Sequence, residues 1–170
     1  MNRKEALLAQ CIVEMWPLGL GDVFFSHCSL PVVKVDIRRN VRLPATDVAW
    51  REFDLLTDVF QFSDYPTRLV IELKNGGIGY GSIGQVLFYK HVLAPRHYNR
   101  LGVTRLIFVV VGKHPNSKRW FGKGNLESDA EEFLKLLKPE YWPDPDIHVL
   151  SYNQLGLQYD ITSATWNWRK

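Results

Sequence analysis

The 170-residue sequence predicts a single α/β domain built on a central mixed β-sheet flanked by helices. Three observations carry this reading. Residues 105 to 111, RLIFVVV, form an apolar, β-branched run of strand length without alternation, as expected of a strand covered on both faces. Residues 68 to 73, RLVIEL, form a second run of the same kind. Between them, GQVLFYKHVL at residues 84 to 93 places Val86, Leu87, Tyr89, Val92 and Leu93 at helical spacing, which suits the crossover that joins two parallel strands.

The remaining elements follow in chain order. Residues 3 to 16 space Ala6, Leu7, Ala9, Cys11, Ile12, Val13, Met15 and Trp16 as an opening helix, closed by Pro17, Gly19 and Gly21. From Val23 to Arg38 the β-branched and aromatic content rises, predicting two strands or one irregular strand around Pro31. Trp50 to Phe60 reads as a strand, Ser63 to Thr67 as a turn and Arg68 to Leu73 as the returning strand of a hairpin. A glycine-rich link, NGGIGYGSIG, leads into the crossover helix, which ends before Pro95. Beyond the strand at 105 to 111, residues 127 to 138 carry acids first and lysines last, as a helix dipole prefers, and Ile147 to Leu150 adds a short strand. The core order is therefore αβββαβ.

Composition narrows the function. Hydrophobic residues make up 46% and charged residues 23%, ordinary for a globular protein, so activity must reside in a site. Two cysteines, Cys11 and Cys28, are too few for a secreted disulfide framework and lack zinc-site spacing. The longest apolar run is far too short to span a bilayer, and the N-terminus lacks a signal-peptide progression. The expectation is a soluble, intracellular, cytoplasmic protein with no membrane partner. Net charge is +3, but unevenly spread: residues 73 to 126 carry nine Lys or Arg and no Asp or Glu. Such a block supplies phosphate contacts if it folds onto one face, and is otherwise a solvated surface.

The unusual feature is Ile71-Glu72-Leu73-Lys74, where an acid and a base lie two positions apart at the end of an apolar strand. Alternation puts both on one face. Burying them is unfavourable unless they pair, bind metal or sit at an open rim. Asp54 repeats the anomaly inside Phe53-Asp54-Leu55-Leu56 on the preceding strand. Asp58 shares its parity and lies nearer to Glu72 in sequence. Two carboxylates with a neighbouring lysine form a hard-oxygen site for Mg²⁺, with the lysine placed to orient water for attack on a phosphodiester. An ordinary ion pair at a sheet edge is the bland alternative.

In order and element position, REFDLLTD, RLVIELKNG, the glycine-rich link and GQVLFYK resemble the PD-(D/E)XK nuclease superfamily, in particular its RecB-like and archaeal repair-nuclease branches. The likeness runs from about Arg51 to Leu93 and includes Gln85 and Tyr89 as a Q-x-x-x-Y helix element. It implies a restriction-endonuclease-like core and Mg²⁺- or Mn²⁺-dependent hydrolysis of DNA. Asp54, Glu72 and the Leu73 carbonyl would bind the metal, Lys74 would position the water, and Gln85 and Tyr89 would face the site. Asp54 fits the family's flanking pattern better than Asp58 does. Relatives add a glutamate from the opening helix, for which Glu14 and Glu5 both qualify, and often act as homodimers. Phe53 stands where the family's name has proline. A module of the same fold that binds nucleic acid or serves assembly without turnover is the alternative.

Two other features remain. Gly79-Tyr80-Gly81-Ser82-Ile83-Gly84 matches the dinucleotide fingerprint, but that motif needs an acid about twenty residues further on, and none occurs between Glu72 and Glu127. The five histidines show no ligand pair at helical spacing. Lys90, Arg96, Lys113, Lys118 and Arg119 are candidate phosphate contacts, with Trp120 available for base stacking or equally for partial burial in a solvated loop.

Overall fold

The computed structural model describes residues 2–44, 50–78, 85–90, 98–113 and 145–170. Helix α1 (Arg3–Met15) starts at Asn2, whose side chain accepts the Glu5 N–H at 2.8 Å, and buries Leu8, Ala9, Cys11 and Ile12. A 3₁₀ turn at Trp16–Leu18 and Gly19, at φ +125°, turn the chain by 95° into α2 (Leu20–His27). Gly21 is needed there because a Cβ would lie 2.9 Å from the Trp16 indole.

Helix α2 corrects the reading of Val23 to Arg38 as strand. Leu20, Phe24 and Phe25 are fully buried and take helical spacing against the core, so tertiary packing overrides the β preference of Val and Phe. Pro31 to Asp36 has no regular structure, and β1 begins only at Ile37 (Ile37–Pro44).

The expected hairpin is present but elaborated. Strand β2 (Trp50–Thr57) pairs antiparallel with β1 and with β4 (Tyr65–Gly77), while β3 (Phe60–Phe62) returns tightly onto the start of β4. Strand β5 (Arg105–Lys113) runs parallel to β4, and β6 (Ile147–Ser151) parallel to β5. The sheet order is β1-β2-β4-β5-β6, a mixed sheet whose parallel step spans helical residues 85–90 and the turn Tyr98–Leu101. The segment predicted as helix at 127 to 138 lies outside the described residues.

Alternation on the central strands sorts side chains into two layers. Leu69, Ile71, Leu73, Ile107, Val109 and Val111 face α1 and α2, whereas Val70, Leu106, Phe108 and Val110 face Val86, Tyr89 and Leu101. This two-sided burial explains the unbroken apolar runs. A second sheet, the hairpin of β7 (Leu157–Asp160) and β8 (Thr165–Trp168), joins the first layer beside α1 through Leu157 and Trp166. Among the described residues, no single helix is long and apolar enough to cross a membrane.

Candidate functional site

Strands β2 and β4 pair only at Leu55 with Ile71 and at Leu56 with Val70. At both ends of this short ladder, β2 side chains substitute for ladder bonds. Thr57 Oγ1 accepts the Leu69 N–H at 2.9 Å, and Asp54 Oδ2 accepts the Leu73 N–H at 2.7 Å. The Asp54 backbone N–H in turn favours the charged form of the Glu72 carboxyl. The two acids thus fill the gap where the strands part, each held by the other's strand.

Lys74 Nζ lies 3.9 Å from Glu72 Oε2, with the two side chains only 27% and 14% exposed. Burial, reinforced by the nearby Asp54 charge, pushes the Glu72 carboxyl up to about 8, against the opposing pull of Lys74. Asp54 is also raised, first by burial and further by Glu5, although its bond from Leu73 N–H works the other way. Asp54, Glu72 and Glu5 therefore feel one another beside the Lys74 ammonium.

The third acid near them is Glu5, on α1. Its Oε1 accepts the Asn75 N–H at 3.0 Å, and it acts electrostatically on both Asp54 and Glu72. Glu14 instead accepts from Gln10 at 2.9 Å and lines a groove with Trp166 and Trp168. Asp58 pairs with Arg38 at 3.2 Å and lines a separate cavity beside residues 33–38, so Asp54 is the carboxylate that meets Glu72.

The candidates on the crossover divide. Tyr89 is buried, its ring edge-on to Phe53 at 5.6 Å directly beside Asp54, while Gln85 is exposed one turn away. Lys90 is only 10% exposed and lies 3.5 Å from Asp146, which also holds Arg105, so it is not presented to a phosphate. Lys113 is exposed at the end of β5. Arg96, Lys118, Arg119 and Trp120 lie outside the described residues. Within those residues Arg105 stacks on Phe62 and shares Asp146 with Lys90, whereas Lys74 belongs to the carboxylate cluster.

One contact had no signal in the sequence. The Tyr152 hydroxyl, from the turn Tyr152–Leu155 after β6, donates to the Lys74 carbonyl. Burial and the Glu5 charge hold its phenol above the usual tyrosine range.

The donor chemistry suits a hard divalent cation. Asp54, Glu72 and the Leu73 carbonyl offer oxygen donors of the kind such an ion takes, and a bound cation would favour the ionised form of both raised carboxyls. Among the described residues, no three His, Cys, Asp or Glu side chains stand close enough together to hold an ion. Two carboxylates completed by backbone and water are an arrangement Mg²⁺ commonly takes. Comparison with protein families, with curated proteins and with solved structures gave no match.

Proposed function

We propose that the chain is a metal-dependent nuclease of the PD-(D/E)XK type, with a restriction-endonuclease-like core, that hydrolyses phosphodiester bonds in DNA. The observation carrying this reading is the meeting of Asp54 and Glu72 in the gap between β2 and β4, with Lys74 beside them. Stability does not account for it, because paired apolar residues would fill that gap without placing like charges together.

In this reading Asp54, Glu72 and the Leu73 carbonyl hold Mg²⁺ or Mn²⁺, and Glu5 adds negative charge from α1. A divalent ion bound there would neutralise charge on the phosphodiester and acidify the attacking water. Lys74 orients that water and offsets charge building on the phosphate. Tyr89 packs on Phe53, the residue before Asp54, and exposed Gln85 is available to the substrate.

The test is cleavage of plasmid and linear DNA by the purified protein with Mg²⁺ or Mn²⁺. Cleavage should require the ion and fall about 100-fold or more in both Lys74→Ala and Asp54→Asn. The alternative is a module of the same fold that binds nucleic acid without turnover. A wild-type protein that binds DNA but stays inert with either ion would establish that alternative.

A further inference from the structure

Beyond Leu73, β4 leaves both neighbours. Its pairing with β2 stops at Ile71, and its register against β5 jumps from Leu73 opposite Val111 to Gly77 opposite Lys113. The peptide unit between Lys74 and Asn75 lies in this irregular stretch, where backbone polar groups need other partners. It has two. The Lys74 carbonyl accepts from the Tyr152 hydroxyl, and the Asn75 N–H donates to Glu5 Oε1 at 3.0 Å.

The group that grips the carbonyl is itself well fixed. Tyr152 opens a turn locked by a capping box, in which Ser151 Oγ accepts the Gln154 N–H at 3.2 Å and Gln154 Oε1 accepts the Ser151 N–H at 2.7 Å. Its ring meets Trp166 at 4.8 Å, and Trp166 Nε1 donates to the Lys4 carbonyl at 3.0 Å. That path returns to the first turn of α1, from which Glu5 extends. On the other side of Lys74, the Leu73 N–H is held by Asp54.

We infer that Tyr152 is a positioning residue: with Glu5 it clamps both ends of the Lys74–Asn75 peptide and so fixes the direction in which the Lys74 side chain leaves the strand. The inference rests on the nuclease reading for its catalytic consequence, but the clamp itself is observable without turnover. Tyr152→Phe removes only the hydroxyl and keeps the ring on Trp166.

The experiment combines amide hydrogen exchange with metal-dependent DNA cleavage for wild type, Tyr152→Phe and Tyr159→Phe. In Tyr152→Phe the Asn75 amide should exchange about tenfold faster while the β5 amides keep their rates. Turnover should fall about tenfold at unchanged KM for DNA, because displacement of a catalytic group by about 1 Å has effects of this order or larger. Tyr159→Phe, which lacks a different hydroxyl against the same Trp166, should match wild type in both respects. An unchanged Asn75 rate in Tyr152→Phe overturns the clamp, as does a fall in turnover no greater than the fall in folded protein. If wild type does not cleave DNA but Asn75 loosens in Tyr152→Phe, the nuclease reading fails and the clamp stands.

Discussion

Glu72 is where a single group governs the behaviour of the site. Its carboxyl titrates near 8 in the folded chain against an ordinary value of 4.5, so between those limits the native state keeps a proton that the unfolded chain has released. Stability must therefore decline as pH rises from about 4.5 towards 8. Thermal melts of wild type should show that decline, and Glu72→Gln should flatten it. Equal pH slopes for the two proteins would contradict the burial argument. Glu72 and Lys74 were legible in the sequence because a charged pair interrupts an apolar strand, which few environments tolerate. The choice between Glu5 and Glu14 was not. They lie nine residues apart, roughly 180° around a helix, and which side meets the end of β4 depends on how α1 docks.

Among the elements, the β2–β4 junction is informative because side chains complete what a longer ladder would have supplied. Thr57 is buried and gives its hydroxyl oxygen to the Leu69 N–H. Thr57→Val, close in shape, should cost about 1–3 kcal/mol through the stranded amide, read as a lower urea midpoint at unchanged slope. The irregular end of β4 has its own requirement on β5. A Cβ at Gly112 would stand 2.7 Å from Ile78 Cγ1, 3.0 Å from the Gly76 carbonyl oxygen and 3.3 Å from Lys74 Cβ. Gly112→Ala should destabilise by about 1–3 kcal/mol and reduce cleavage further than the loss of folded protein explains. The strands themselves were readable where burial on two faces left unbroken apolar runs. Phe24 and Phe25 misled because β propensity is a weak guide when a short helix can bury the same rings.

For the molecule as a whole, closure depends on contacts between its distant parts. The parallel step from β4 to β5 could be read from two apolar strands with a helical segment between them, whereas the β7–β8 hairpin left no comparable run of apolar residues. Its importance lies in Trp166, which is 8% exposed and joins Lys4, Tyr152 and Tyr159. Trp166→Ala should cost about 3–5 kcal/mol in chemical denaturation, and a change below about 1 kcal/mol would show the hairpin to be a passenger. The peptide beside Lys74 is gripped by partners 70 residues earlier and 78 residues later in the chain. A nascent polypeptide still lacking Tyr152 therefore cannot complete both grips on that peptide, however early Glu5 is made.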